Sequence, residues 1–219
     1  RAIARAEPVP GPLVAAFAEL ARSYDVIAVG GVMERSGSDC FDTLVVVGPD
    51  GYLGQYRKIH VAFTENAYWS RGNCGGIVET DIGAIGLGVC SDMVYRSPWT
   101  SYRHRVDIVA VGSAGPDWRG MRFLPVSHGY RQTIAEAILS LPRKISRGLG
   151  VPVVHANCCG SFSTKLMPFH LSHFVPGGCS NTPHGETLPQ AEAAAPAQAI
   201  DAHEQPGNGR TKDRERMRG

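Results

Sequence analysis

The chain has 219 residues, an apolar content of 43% and a formal net charge of +2 with the histidines neutral. This length suits one domain, or one domain with a tail, and the apolar content is sufficient for a sizeable core. The small net charge gives no reason to expect nucleic acid or an anionic membrane as a partner, and no apolar run approaches the length of a membrane span.

The sequence contains six cysteines at irregular spacings. An even number permits disulfides, but a chain with a core of this size does not need them. No signal-peptide pattern of a basic start and an apolar core is found near the N-terminus. We therefore expect free thiols and a cytoplasmic location.

In the first half of the chain, one helix precedes several short β-branched runs. Apolar residues recur at helical spacing over residues 13–22, directly after a Pro-Gly-Pro turn. Strands are predicted over residues 25–32, 40–47 and 52–56, and Gly-Pro-Asp-Gly at 48–51 supplies the turn between the last two.

The second half alternates further strands with helices, which predicts an α/β fold. Short apolar runs predict strands over residues 77–80, 85–89, 106–112 and 151–157. Helices are predicted over 97–104 and 130–149, and Pro142 should split the second one. From residue 190 alanine, proline and alternating charge dominate, so we expect a domain over 1–189 and a mobile tail over 190–219.

One stretch of the chain combines the residue types of a thiol hydrolase. Lys58 follows a predicted strand, Glu65 lies in the polar loop after it, and Cys90 ends a glycine-rich apolar strand. Nucleophilic attack on a carbonyl carbon needs a thiolate, a cation that stabilises the developing negative charge, and a carboxylate that moves protons. A cation near the thiol should also lower its pKa.

Three sequence blocks in this stretch resemble those of the nitrilase superfamily of carbon–nitrogen hydrolases. They are Tyr-Arg-Lys-Ile-His at 56–60, Glu-Asn-Ala-Tyr-Trp-Ser-Arg-Gly at 65–72 and Gly-Leu-Gly-Val-Cys-Ser-Asp at 86–92. The resemblance implies a four-layer α-β-β-α sandwich. It also implies that Cys90 is the nucleophile, that Lys58 stabilises the oxyanion and that Glu65 assists, whereas Arg57 is structural.

The same resemblance implies a hairpin over 177–188, and further candidate site residues lie in or after the three blocks. The backbone N–H of Ser91 would complete the oxyanion site, and Asp92 after it favours amide or carbamoyl substrates over nitriles. Ser113 and Trp118 follow the strand at 106–112 and would contact substrate if that strand neighbours the one that presents Cys90.

Each of these residues also has an ordinary structural explanation. A free cysteine is most often a small buried apolar residue, and a lysine after a strand is usually solvated. A loop glutamate such as Glu65 is usually a surface charge. Cys158, Cys159, His170 and His173 permit a zinc site, but adjacent cysteines rarely bind one ion, so we predict neither metal nor cofactor.

The chain departs from the family pattern at its start. Family members carry a catalytic glutamate on an earlier strand, whereas the only acid before the first helix here is Glu7, at a non-catalytic position. We therefore expect a sandwich truncated at its N-terminus. Our hypothesis is a homo-oligomeric thiol hydrolase of small amide, carbamoyl or nitrile substrates. The alternative is a catalytically impaired protein that binds a small molecule or a subunit.

Overall fold

The computed structural model describes residues 3–62, 65–115, 119, 125–158, 178–181 and 187–188. Its helices are α1 (Pro12–Tyr24), α2 (Trp99–Tyr102), α3 (His128–Leu139) and α4 (Leu141–Leu149). Its strands are β1 (Ala28–Ser36), β2 (Asp39–Gly48), β3 (Gly51–Arg57), β4 (Gly76–Thr80), β5 (Gly83–Val89), β6 (Ile108–Ser113), β7 (Val153–Asn157), β8 (Gly178–Asn181) and β9 (Thr187–Leu188). The predicted tail over 190–219 lies outside the described residues.

The described strands form two sheets. The first sheet is an antiparallel meander in the order β1-β2-β3, and the second has the order β4-β5-β6-β7-β8-β9. In the second sheet β5, β6 and β7 are parallel to one another, whereas β4, β8 and β9 pair antiparallel. The carboxyl ends of β5, β6 and β7 therefore meet at one edge of that sheet.

Three apolar clusters hold the layers together. The first joins α1 to the outer face of the first sheet, through Val14 and Ala21 packed on β1 and β2. The second fills the space between the sheets, where Leu44 and Tyr56 meet Leu87 and Val89. The third packs α2 and α4 on the far face of the second sheet. The predicted four-layer α-β-β-α sandwich is confirmed.

The ends of α1 explain where the first strand starts. A proline opens the helix, and the Glu7 carboxylate accepts a hydrogen bond from the Leu13 N–H at 2.7 Å. Asp25 ends the helix in a left-handed conformation, with φ of 51°. The prediction of a strand from residue 25 to 32 was therefore wrong at both ends, because the chain becomes extended only at Ala28 and continues to Ser36.

The helices of the second half follow their prolines. Pro142 does split the predicted helix over 130–149, since α3 ends at Leu139 and α4 begins at Leu141 with the proline in its first turn. The predicted helix over 97–104 is shorter than expected and spans only Trp99–Tyr102. Among the described residues, no helix has both the length and the apolar character that crossing a membrane requires.

Candidate active site

A cavity of about 470 Å³ lies between the two sheets, at the carboxyl ends of the parallel strands. Ligands in open α/β sheets commonly bind at this position. Aliphatic side chains form most of its wall, for example Val29, Leu44 and Val154. Its polar lining residues are Asp42, Lys58, Glu65, Cys90, Ser113, Asn157 and Cys158. The cavity thus brings together the predicted nucleophile, cation and carboxylate, which lie on different elements.

Cys90 lies directly after β5, where the chain turns into a 3₁₀ helix over Cys90–Val94. Its backbone has φ of 45°, in the left-handed region that residues other than glycine seldom adopt. The side chain is partly buried and lines the cavity. A cysteine at this turn is therefore displayed towards the cavity and is not a core residue.

The direction of the Cys90 pKa differs from the sequence-based expectation. Burial raises the pKa of the thiol, and this effect exceeds the opposing influence of the Lys58 charge and of a backbone hydrogen bond from Ala114. The carboxylates of Glu65 and Asp42 raise the pKa further. The thiol is consequently protonated in the resting site, so attack on a substrate requires a proton acceptor.

A close contact with an aromatic ring supports the strand that ends at Cys90. A Cβ added at Gly88 would lie 2.3 Å from Cη2 of Trp99, so only glycine fits at this position of β5. Trp99 in turn donates a hydrogen bond from Nε1 to the main-chain oxygen of Asp92 at 3.0 Å. The indole therefore connects α2 to the turn that presents the thiol.

Lys58 follows β3 and is held by two carboxylates. Its Nζ donates hydrogen bonds to Oε2 of Glu65 at 2.6 Å and to Oδ2 of Asp42 at 3.2 Å. The side chain is 1% exposed, which excludes a solvated surface lysine. Burial alone would lower the pKa of Lys58, but the two carboxylates outweigh it and raise the pKa, so the ammonium stays protonated.

Glu65 is fixed by the loop that follows Lys58. Its Oε2 accepts a hydrogen bond from the Ala62 N–H at 3.1 Å in addition to the bond from Lys58. The main chain of the same loop is joined to β3, because the Gly72 N–H donates to the Lys58 carbonyl at 2.8 Å. Glu65 is therefore part of the cavity wall rather than a free surface charge.

Asp92 joins the Lys58 side of the site to the Cys90 side. Its carboxylate accepts hydrogen bonds from the Tyr56 hydroxyl at 2.9 Å, the His60 N–H at 3.0 Å and the Val89 N–H at 2.9 Å. The Ser91 hydroxyl donates to the His60 carbonyl. Asp92 is fully buried, and neither its side chain nor that of Ser91 lines the cavity.

Arg57 has the structural role that the sequence predicted. Its guanidinium donates to both carboxylate oxygens of the buried Glu34, at 2.9 and 2.5 Å, and lies over the ring of Phe41. Burial would raise the pKa of Glu34, but the hydrogen bonds from Arg57 and Thr43 lower it overall. This ion pair fixes the chain immediately before Lys58.

The ends of β6 and β7 complete the wall. Ser113 lines the cavity, and its Oγ lies 3.0 Å from Nε2 of His155. Asn157 binds the Gly115 main chain through both amide atoms, at 2.8 and 3.2 Å. Trp118 lies outside the described residues, as do Cys159, His170 and His173 of the cysteine–histidine cluster that the sequence permits as a zinc site.

Sequence reasoning assigned no role to Asp42 or Asn157. The available signal for Asp42 was a charged residue inside the apolar run over 40–47, where a strand with one face in the core should not carry an unpaired carboxylate. The available signal for Asn157 was the position of an amide side chain at the end of an apolar run that predicts a buried strand.

The family model for carbon-nitrogen hydrolases matches residues 1–190. The chain belongs to the carbon–nitrogen hydrolase family. Over 108 residues it is 33% identical to a nitrilase of Pyrococcus abyssi, a match that covers 48% of this chain and 41% of the relative. Over 111 residues it is 31% identical to a human omega-amidase, covering 46% of this chain and 40% of that protein.

Solved structures of carbon–nitrogen hydrolases have a similar fold. A carbon–nitrogen hydrolase from Helicobacter pylori aligns with a TM-score of 0.73 and 22% identity, over 81% of this chain and 61% of that one. In the two sequence matches, this chain spans less than half the length of the nitrilase and of the omega-amidase. Membership in the carbon–nitrogen hydrolases is the common result, and these relatives include enzymes named for nitrile and for amide substrates.

Proposed function

We propose that this carbon–nitrogen hydrolase cleaves small amide or carbamoyl substrates through a thioester on Cys90, with nitriles as less favoured substrates. The observation that carries the proposal is the convergence of Cys90, Lys58 and Glu65 on one cavity, with the lysine and the glutamate 2.6 Å apart. The blocks at 56–60, 65–72 and 86–92 supply these residues in the order that the family uses.

In this mechanism Cys90 Sγ attacks the carbonyl carbon while its proton passes to a carboxylate of the cavity, for which Glu65 is our candidate. The Lys58 ammonium and the Ser91 N–H stabilise the oxyanion. The Ser91 N–H lies in the first turn of a 3₁₀ helix, where N–H groups have no partner within the helix. The proton is then transferred to the nitrogen, ammonia or an amine leaves, and water hydrolyses the thioester to the acid.

Asp92 has a different role in this proposal from the one suggested by the resemblance. Because it is buried and bound to three donors, it positions the Cys90 turn against the Lys58 strand and does not contact substrate. Ser113 remains a candidate for substrate contact because it lines the cavity.

The test is hydrolysis of short amides, carbamoyl compounds and nitriles by the purified protein, followed as ammonia release and by intact mass. We expect turnover of amides, a thioester adduct on Cys90 at short times, and a loss of about 10³-fold or more for Cys90→Ser. Cys74→Ser is the matched control, because Cys74 is exposed and does not line the cavity.

The alternative, a binding protein without catalysis, predicts a different pattern. An amide would then protect Cys90 from alkylation, but neither ammonia nor a thioester would form. Equal activity of the wild type and Cys90→Ser would rule out the thioester mechanism.

A further inference from the structure

Asp42 faces the cavity from the side of the first sheet. It lies in β2 between buried residues, and its side chain is 30% exposed, towards the space that it lines with Cys90. The nearby Glu34, which has a purely structural partner, is only 3% exposed. Glu34 and Asp42 therefore differ in kind, and of these two acids only Asp42 lines the volume that a substrate would occupy.

The charges around the cavity do not balance. Lys58 is the only cation among the cavity-lining residues that the structure describes, and it is already paired with Glu65 at 2.6 Å. Asp42 adds a second carboxylate at 3.2 Å from the same ammonium. A buried cation needs one close counter-ion, so the second carboxylate leaves an excess of about one negative charge on this wall.

We propose that Asp42 determines the charge of the substrate: the site accepts neutral or cationic amides and rejects those that carry a carboxylate near the scissile group. This inference rests on the proposed function, in that it takes the cavity around Cys90 as the substrate site. An anionic group entering the cavity would find its only described cation neutralised and a second carboxylate exposed. A cationic group would find in Asp42 an acceptor that is only partly satisfied by Lys58.

The surroundings of Asp42 act on its charge in opposite directions. Burial and the charges of Glu65 and Asp92 raise its pKa and so favour the neutral form, whereas the Lys58 charge opposes the rise and favours the carboxylate. The negative charge on which the proposal depends is therefore present only at a pH above this raised pKa. Asp42 likewise contributes to the raised pKa values of Lys58 and Cys90. The charged groups that act on Asp42 are thus Lys58, Glu65 and Asp92, and two of these three are carboxylates.

The sharpest test uses two thiol reagents of similar size and opposite charge. Methanethiosulfonates that carry either a trimethylammonium or a sulfonate group react with cysteine, and mass mapping gives the rate at each thiol. Exposed Cys74 in the same molecule is the internal reference. We expect Cys90 to prefer the cationic reagent about 10-fold more strongly than Cys74 does, as one nearby unit charge predicts.

Asp42→Asn should abolish most of this preference, because it removes the charge and keeps the shape of the side chain. Asp39→Asn, at an exposed acid on the same strand, should leave it unchanged. A preference that is the same in Asp42→Asn and the wild type overturns the proposal. If Asp42→Asn does not fold, the wild type still decides the question, since 1 M salt should reduce a preference that is electrostatic and leave a steric one intact.

Hydrolysis supplies the second test. Butanamide, 4-aminobutanamide and succinamate have similar length and differ in charge. We expect kcat/KM for succinamate to be about 10-fold or more below that of the other two amides. Asp42→Asn should reduce this difference in kcat/KM. Efficient cleavage of succinamate by the wild type would refute the inference. If no amide is cleaved but the reagent preference at Cys90 holds, the proposed function fails while the charge assignment stands.

Discussion

The two halves of the site are held in place by different forces. On the Lys58 side, ion pairs dominate: Arg57 binds Glu34 and Lys58 binds Glu65 and Asp42. On the Cys90 side, the turn is held by neutral donors to Asp92 and by an indole packed on a glycine. The cation of the proposed mechanism is therefore positioned by charge and the proposed nucleophile by shape, so mutations in the two halves should have different effects.

The largest effect is expected from removing the Lys58 cation. Lys58→Met keeps the apolar part of the side chain, but it removes the proposed oxyanion donor and leaves Glu65 and Asp42 without their shared cation. We expect kcat/KM to fall by about 10² to 10³-fold, as for loss of one oxyanion donor. Steady-state hydrolysis measures this, with Lys144→Met on α4 as a control outside the cavity.

The next prediction concerns the ion pair between Arg57 and Glu34 on the same side of the site. Glu34→Gln leaves Arg57 without its counter-ion, so we expect a loss of about 3 kcal/mol in the free energy of unfolding. This is the low end of the range for a broken buried pair, because the Arg57 side chain is 34% exposed. Urea unfolding measures it. Glu19→Gln, which breaks an exposed pair with Arg22, should change stability by about 0.5 kcal/mol or less.

The difference in stability between the wild type and Glu34→Gln should decrease at low pH. Because the pKa of Glu34 is lowered in the folded protein, its contribution is complete above the ordinary glutamate pKa of about 4.3. The contribution is lost as the pH falls through the lower folded value. Wild type and Glu34→Gln should therefore converge in stability in acid, and a difference that grew in acid would contradict the ion-pair explanation.

On the Cys90 side the corresponding change is Asp92→Asn. An amide has one acceptor oxygen, whereas this carboxylate accepts from Tyr56, His60 and Val89 with two. We expect a loss of about 1–3 kcal/mol in unfolding free energy and a changed rate of Cys90 alkylation, because the turn is no longer fixed. Asp107→Asn is the control, since Asp107 accepts a single bond from the Ala84 N–H at the opposite end of β5.

The smallest predicted effect comes from packing alone. Gly88→Ala places a methyl group against the Trp99 ring, which can shift only with the main chain of Asp92 that it binds. We expect about 1–2 kcal/mol of destabilisation and a measurable fall in kcat without a change in the charge preference at Cys90. Thermal unfolding with assays on the same preparation tests this. A changed charge preference would show that the two halves are not independent.

The sequence predicted the features that depend on residues close together along the chain, such as strand ends and the break in a helix. Lys58 and Cys90 each follow a strand, and Glu65 lies in the loop after Lys58. Hydrophobic patterns with turn residues place such strands well. Pro142 likewise divided a helix where its missing N–H requires it. The four-layer fold followed from the family resemblance, and the three apolar clusters explain it.

Contacts between side chains of neighbouring strands, and the burial of individual groups, could not be predicted from the sequence. Asp42 reaches Lys58 because β2 and β3 pair with a particular register, and that register depends on a bulge at Val46 and Val47. The sign of the Cys90 pKa shift was missed for a related reason, since burial depends on packing that only the folded chain shows.

The backbone of Cys90 has a consequence for stability that is separate from the chemistry of its thiol. A left-handed conformation is free of steric penalty for glycine but costs roughly 1 kcal/mol or more for a residue with a side chain. Cys90→Gly should therefore relieve that cost while it removes the thiol. The residue on which the proposed chemistry depends is thus one that the fold itself does not require.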